Sequence, residues 1–276
     1  MTAGDRMPNA AALAAVAARY RLQLGAARYR GGFGSHRGSG VGSSQDFLDF
    51  RDYAPGDDLR HLDWRGYART EKLRVRLYQE EVAPFVDVAV DTSASLAVTP
   101  GKERAVRLLV GALRHWGASA GVGVRCAALG GGPLDENSLA FDDKATAPAL
   151  PLVPLRPRGV RVLVTDGLWA DDPAPLLHRM MATAVRFVCL QVLDPWELQP
   201  EAVGAVAMVD AETGERRELQ LDRGTIVAYR QRLQRLCDAL RGAVLAGGGV
   251  HVQVPADELA TMCARDLLPA GVVEPA

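Results

Sequence analysis

The sequence predicts an α/β fold with a doubly wound, mostly parallel sheet, preceded by a lobe of helix, loop and strand. From residue 86 onward, short apolar runs typical of buried strands alternate with segments of helical periodicity. This alternation is characteristic of parallel sheets whose strands are joined by crossover helices. At 276 residues the chain has room for one or two domains. We expect an amino-terminal lobe at residues 1–84 and a second domain at residues 85–276.

The amino-terminal lobe is predicted to contain a helix, a glycine-rich loop and a charged segment. Residues 9–24 begin with Asn9, a good N-cap, and are rich in Ala, Leu and Arg, so a helix is expected there. Residues 35–44 are rich in Gly and Ser without a phosphate-binding pattern, which indicates a linker. Residues 73–80 alternate apolar and polar side chains and predict a half-buried strand.

The second domain is predicted to begin with a buried strand at residues 86–90. The elements expected after it are a helix at 101–116, strands at 121–129 and 160–167, a helix at 171–183, strands at 185–193, 205–209 and 217–221, a helix at 225–245, a strand at 250–254 and a last helix at 255–268. The interval 130–157 has many Gly, Pro and Ala residues and little periodicity, so its crossover is expected to be short or irregular.

The composition argues against several classes of function. The 32 basic and 33 acidic residues give a net charge of -1, which is atypical of non-specific nucleic-acid binding. No apolar run reaches the ~18 residues of a membrane span, and the amino terminus lacks the basic start of a signal peptide. We therefore expect a cytoplasmic protein. Its four cysteines are widely spaced and are expected to be reduced and packed: Cys126, Cys189, Cys237 and Cys263.

Two of the predicted strands end in acidic loops. Asp91, Ser93 and Ser95 follow the first strand, and Asp166 ends a later one. If these strands are neighbours, both aspartates face one crevice at the carboxyl edge of the sheet. One carboxylate and two hydroxyls are hard oxygen ligands that suit Mg²⁺ held together with water. The same side chains also suit capping and turn roles, and the residues alone leave both interpretations open.

Patterns of known enzymes fit less well. A phosphatase that forms an aspartyl phosphate needs an acid/base two positions after its nucleophile, and Ser93 stands there. Neither G-x-S-x-G nor H-E-x-x-H occurs. A metal-dependent phosphoester hydrolase remains the alternative function, with Asp166 or Asp194 as the candidate base near Asp91.

The chain resembles two known groups of sequences. Asp91-x-Ser93-x-Ser95 together with Thr165-Asp166-Gly167 resembles the metal-ion-dependent adhesion site of a von Willebrand factor A domain. The charged segment resembles the signature of domain-of-unknown-function family 58. The residues that carry this second resemblance are Phe47, the run 51–58, Arg60, Asp63, Trp64, Ala68 and Arg69, with Asp194, Pro195 and the run 209–215 further on.

This resemblance implies a von Willebrand A-like fold and a non-enzymatic function. Members of the family are thought to be adaptors that act with an AAA+ ATPase of the MoxR type, and the second partner would be an unidentified client protein. The implied metal is Mg²⁺, with Mn²⁺ as a substitute, bound by Asp91, Ser93, Ser95 and Asp166. Such a site also takes a threonine, but nothing around Thr146 matches the usual context. A structural domain with a degenerate metal site is therefore a further alternative.

The charged signature admits two main interpretations, with catalysis by its carboxylates as a third. Its Asp and Arg residues could lock the lobe through ion pairs, with Tyr53 and Trp64 packed beneath them. Alternatively, they could form a docking face for the ATPase. The candidate partner-binding residues are Arg51, Asp57, Asp58, Arg60, Asp63, Trp64 and Arg69.

Overall fold

The computed structural model describes residues 9–24, 45–80, 85–135, 139–141, 154–169, 171–201 and 204–276. The chain divides into two compact units. The larger unit consists of residues 1–25 and 84–276, and the smaller unit consists of residues 26–83. Each unit has its own architecture.

The larger unit is organised around a five-stranded sheet in which every neighbouring pair is parallel. Its strands are β4 (Val86–Val90), β5 (Val124–Ala128), β6 (Val160–Thr165), β7 (Arg186–Leu193) and β10 (Val250–Pro255). Their order is β10-β7-β6-β4-β5. All residues of β4 and β6 are buried, as expected for parallel strands that are covered on both faces. The predicted α/β class with a doubly wound parallel sheet is confirmed.

Helices cover both faces of this sheet. They are α3 (Pro100–Ser119), α4 (Ala174–Met181), α5 (Pro195–Leu198), α6 (Arg223–Ala246) and α7 (Leu259–Met262), the last continued by a π-helical turn at Cys263–Leu267. Side chains from α3 and α7 pack with Val88 and Val162 on one face. Those from α4 and α6 pack with Ala89 and Leu163 on the other. Two separate cores follow from the alternation of side chains along each strand.

The first helix is shorter than the predicted span of 9–24. Helix α1 covers Ala10–Ala17, and a short strand, β1 (Tyr20–Leu22), follows it. This strand pairs antiparallel with β11 (Val273–Pro275) at the other end of the chain. Pairing with a distant strand here outweighs the helix propensity of the local sequence. These residues pack with the larger unit, whereas the prediction grouped them with the lobe at 1–84.

The smaller unit contains an antiparallel pair of strands and a short helix. Strands β2 (Gln45–Asp52) and β3 (Arg74–Glu80) pair in register from Asp52–Arg74 to Gln45–Glu80, with a bulge after Phe47. Helix α2 (Trp64–Thr70) lies between them in sequence. Strand β3 matches the predicted strand at 73–80, whereas β2 was not predicted. The glycine-rich loop predicted at 35–44 lies outside the described residues.

A hairpin and a long helix follow α5. Strands β8 (Gly204–Val209) and β9 (Arg216–Leu221) pair antiparallel and correspond to the two strands predicted at 205–209 and 217–221. In the turn between them, Asp210 accepts hydrogen bonds from the backbone N–H groups of Glu212 and Thr213. Helix α6 then begins with Asp222 as its N-cap.

The cysteines were expected to be reduced and packed, and no apolar run was expected to span a membrane. All four cysteines are free and buried, and burial raises the pKa of the Cys189 and Cys263 thiols to about 12. No helix among the described residues is long and apolar enough to cross a membrane.

Arg161 is a buried cation that joins β6 to the end of α4. Its side chain is fully buried, and burial lowers the pKa of its guanidinium. It donates hydrogen bonds to the Met180 carbonyl at 2.6 Å and to the Thr183 hydroxyl at 2.5 Å. Carbonyls at a helix C-terminus have no partner within the helix, so Arg161 satisfies a group that would otherwise be unpaired.

Replacing Arg161 should therefore destabilise the larger unit. We expect Arg161→Met to lower the free energy of unfolding by roughly 2–4 kcal/mol, because buried acceptors on α4 lose their donor. Urea unfolding followed by circular dichroism measures this loss. Arg179→Met is the matched control, since Arg179 lies exposed on α4, and its loss should stay within about 0.5 kcal/mol. Equal effects of the two substitutions would contradict the assigned role.

Candidate functional site

The two acidic loops lie side by side at the carboxyl edge of the sheet. Strands β4 and β6 are direct neighbours, with Val90 opposite Val164. The ladder continues one step beyond the strand, because the Asp91 N–H donates to the Val164 carbonyl at 2.8 Å. The predicted condition for a shared crevice, that the two strands be neighbours, is thus met.

Asp91 is buried, and both of its carboxylate oxygens accept hydrogen bonds. One carboxylate oxygen accepts from the Ser93 N–H at 3.0 Å. The other accepts from the Thr165 hydroxyl at 2.7 Å and from the Trp169 indole N–H at 3.1 Å. Burial, and next the charge of Asp166, raise the pKa of the Asp91 carboxyl above its usual range. The second of these causes, the nearby negative charge of Asp166, would stabilise a cation placed beside both carboxylates.

Ser93 and Ser95 present their hydroxyls to each other at 3.0 Å. A short 3₁₀ turn at Ala94–Ala97 follows Ser93, yet the Ser93 side chain makes no capping hydrogen bond to it. Ser93 is buried and Ser95 is half-buried. The Ser93 hydroxyl is therefore not used as a helix N-cap. The structure brings Asp91, Ser93 and Ser95 together in one loop, as a set of oxygen donors.

Asp166 is paired with a lysine that the sequence argument did not identify. The Lys102 ammonium lies 3.0 Å from one Asp166 carboxylate oxygen and 2.9 Å from a Glu197 carboxylate oxygen. The Lys102 side chain is 0% exposed. The other Asp166 oxygen accepts from the Leu168 N–H at 3.1 Å. A lysine in the first turn of the helix after the Asp91 loop was the available signal.

Asp194 and Glu197 lie at the start of α5 and form a capping box. The Asp194 side chain accepts from the Trp196 N–H at 2.8 Å, and the Glu197 side chain accepts from the Asp194 N–H at 2.7 Å. The second Asp194 oxygen accepts from the Thr99 hydroxyl at 2.5 Å. Thr99 is itself the N-cap of α3. Both carboxylates thus take part in capping the N-terminus of α5.

The edge carries more buried negative charge than positive charge. Its buried or nearly buried carboxylates are Asp91, Asp166, Asp194 and Glu197. Among the described residues, Lys102 is the cation found in a salt bridge with any of them. Burial, and next the charges of Asp210, Asp166 and Asp91, also raise the pKa of Glu212 in the hairpin turn. This surplus favours a bound cation.

The donor set fits a hard divalent cation in chemistry, although it is small. Two hydroxyls and the Asp91 carboxylate are oxygen ligands of the kind that Mg²⁺ takes, with water completing its shell. Within the described residues, no group of three or more His, Cys, Asp and Glu side chains is arranged to hold a metal. The Thr165 hydroxyl is already used by Asp91 and by the Gly167 N–H. Thr146 lies outside the described residues.

In the smaller unit, the charged signature forms local ion pairs. Arg51 binds Asp57 through two hydrogen bonds, one to each carboxylate oxygen, at 2.8 and 2.5 Å. Asp57 also accepts from the Ala54 N–H at 2.8 Å and so closes the turn at Pro55-Gly56. The Arg51 hydrogen bond, followed by that of the Ala54 N–H, holds the pKa of Asp57 below its usual range.

Two further pairs fix the segment between β2 and β3. Asp58 binds Arg60 at 2.6 Å and also accepts from the Arg60 N–H. Asp63 binds Arg76 of β3 at 2.8 Å. Because these groups are satisfied within the unit, five of the seven candidate partner-binding residues have an evident structural role.

The other two candidates, Trp64 and Arg69, are exposed on α2. Trp64 is 57% exposed and Tyr67 is 41% exposed, and their rings meet edge to face with centroids 6.5 Å apart. Trp64 is therefore not packed beneath the ion pairs, as one of the two interpretations expected. Helix α2 has no buried side chain, which is unusual for a helix in a folded protein because burial of one face provides most of its stability.

Comparison with known families supports the predicted resemblance. The family model described as "Protein of unknown function DUF58" matches residues 49–124. This segment contains the charged signature, β4 and the Asp91 loop, and all of α3 with Lys102. The resemblance to this family is confirmed over these residues.

Relatives of this chain come from mycobacteria. The uncharacterized protein Rv1480 of Mycobacterium tuberculosis and the uncharacterized protein Mb1516 of Mycobacterium bovis are each 29% identical over 217 residues, with 68% of each chain covered. Among solved structures, the conserved hypothetical protein BatB from Bacteroides thetaiotaomicron is similar at a TM-score of 0.34 and 13% identity. That similarity covers 66% of this chain and 94% of BatB.

Gly167, which follows Asp166, should be required for the geometry of this edge. Its φ is 68°, and a Cβ there would meet Leu240 at 2.5 Å. We expect Gly167→Ala to lower the free energy of unfolding by roughly 2–4 kcal/mol, from backbone strain and from the clash. The matched control is Gly214→Ala, which has a φ of 73° but open space around it, and should cost only about 1–2 kcal/mol. Urea unfolding compares them, and equal losses would argue against steric crowding at Gly167.

Proposed function

From this resemblance to the DUF58 proteins, we propose that the chain is a non-enzymatic adaptor that binds a protein partner at the carboxyl edge of its sheet through Mg²⁺. It would work with an AAA+ ATPase of the MoxR type. The observation that carries the proposal is the pair of serine hydroxyls beside buried Asp91, at the point where two acidic loops adjoin. The family resemblance supplies the identity of the ATPase class.

The residues that would hold Mg²⁺ are Ser93, Ser95 and Asp91, with Asp166 contributing charge nearby. A bound Mg²⁺ would supply a positive centre with open positions for water or for a carboxylate of the partner. The hydrogen bonds from Thr165 and Trp169 hold Asp91 in place without a metal. The side chain that faces the cation would thus be pre-organised.

The hydrogen-bonding of the acidic groups supports an adaptor over a phosphoester hydrolase. A hydrolase needs a carboxylate that is free to accept a proton from water. Of the two candidate bases, Asp166 is bound by Lys102 and Asp194 by Thr99. Each of these carboxylates also accepts a backbone N–H. These contacts favour the adaptor over the hydrolase.

The exposed face of α2 is a second surface that suits a protein partner. Large aromatic side chains with adjacent arginines are typical of the residues that contribute most to protein interfaces. Trp64 and Tyr67 provide two such aromatic side chains on one face of α2, and the ion pair of Asp63 with Arg76 holds the residue that precedes the helix. We propose that this face contacts the ATPase, while the carboxyl edge binds the client.

The metal proposal is tested by calorimetric titration of the metal-free protein with Mg²⁺ and with Mn²⁺. We expect binding heat in the wild type and its loss in Asp91→Ala and in the double variant Ser93→Ala/Ser95→Ala, because each removes ligands. The control is Asp238→Ala, which removes an exposed carboxylate of α6 that is not among the proposed ligands and should bind like the wild type. The absence of heat in the wild type, or unchanged heat in both ligand variants, would refute metal binding.

The docking proposal is tested with a purified MoxR-type AAA+ ATPase from the same organism. We expect the double variant Trp64→Ala/Tyr67→Ala to bind it at least about tenfold more weakly, since two aromatic contacts are lost. Val227→Ala/Leu245→Ala removes two comparably exposed apolar side chains from α6 and should have no effect. Biolayer interferometry measures the affinity of both double variants for the ATPase. Equal affinities would show that α2 is not part of the interface.

A further inference from the structure

Lys102 is an unusual residue for its position. Lysines are almost never fully buried unless they are paired. Lys102 is also the third residue of α3, where the positive end of the helix dipole disfavours a cation. Both costs are offset by two carboxylates, Asp166 and Glu197, within 3.0 Å of its ammonium. The lysine is therefore held by the surplus negative charge of the carboxyl edge.

Resting on the proposed metal site, we propose that Lys102 is an internal cation that lowers the affinity of this edge for Mg²⁺. The ammonium and a divalent ion would both be stabilised by the carboxylates of this edge, so each reduces the stabilisation available to the other. One Asp166 oxygen already binds Lys102 and the other binds the Leu168 N–H. Asp166 thus offers a neighbouring metal less free charge than an unpaired carboxylate would.

Glu197 sets how strongly Lys102 acts on Asp166. One of its oxygens binds Lys102 at 2.9 Å, and the other is fixed by the Asp194 N–H at 2.7 Å. With Glu197 present, the ammonium is shared between two carboxylates. When Glu197 is replaced by the neutral residue Gln, the ammonium should neutralise Asp166 more completely. The affinity for Mg²⁺ should then fall further.

Substitutions of Lys102 and of Glu197 should therefore change the affinity for Mg²⁺ in opposite directions. We expect Lys102→Met to strengthen Mg²⁺ binding by at least about tenfold, because it removes a unit positive charge within a few ångströms of Asp166. We expect Glu197→Gln to weaken it. The double variant Lys102→Met/Glu197→Gln removes one charge of each sign, so it should fold even if Lys102→Met does not. It should bind Mg²⁺ more tightly than Glu197→Gln alone.

The experiment is calorimetric titration with Mg²⁺ of the wild type and of these three variants, at constant pH and ionic strength. The control is Arg107→Met, which removes a cation from the same helix. Arg107 pairs with Glu103 one turn away, at 2.8 Å. Its loss should change Mg²⁺ affinity less than the loss of Lys102 does.

The outcomes separate this inference from the proposed function. Tighter binding by Lys102→Met, or by the double variant relative to Glu197→Gln, supports the inference, even if the wild type binds no Mg²⁺ and the metal part of the proposed function fails. Binding by the wild type that is unchanged or weakened without Lys102 overturns the inference and leaves the proposed function standing. No binding by any of the proteins overturns both.

Discussion

The carboxyl edge of the sheet depends on one buried ammonium group. Parallel strands bring the ends of β4, β6 and β7 to the same place, and each end carries an acidic residue. Without a cation, the desolvated carboxylates would repel one another. The Lys102 ammonium provides that cation and joins α3 to the loops after β6 and β7. The polar end of the fold is thus organised by charge compensation rather than by apolar packing.

Much of the central sheet could be predicted from the sequence for a physical reason. Strands β4 and β6 are buried on both faces, so apart from Asp87 and Arg161 they are mainly apolar runs, and they are followed by Asp91 and Asp166. The same reasoning placed Ser93 and Ser95 in the loop. It could not find β1 and β11, because each has only three residues and is stabilised by the other across most of the chain.

Lys102 and Trp64 show where local patterns stop being informative. Glu197, which pairs with Lys102, is 95 residues away in the sequence, so the local helix pattern around Lys102 does not indicate this ion pair. Trp64 lies in a segment full of charges, and its exposure depends on which face of α2 is left uncovered. The ion pair of Asp58 with Arg60, by contrast, follows from the interspersed charges of neighbouring residues.

The contacts that join the first turns of α3 and α5 have a consequence for folding. The hydrogen bonds of Thr99 with Asp194 and of Lys102 with Glu197 each span 95 residues. Closing such long loops costs chain entropy that is recovered only after the intervening strands have paired. The polar edge should therefore assemble late. A chain synthesised only as far as β6 contains Lys102 but lacks Asp166 and Glu197, the two carboxylates that compensate its charge.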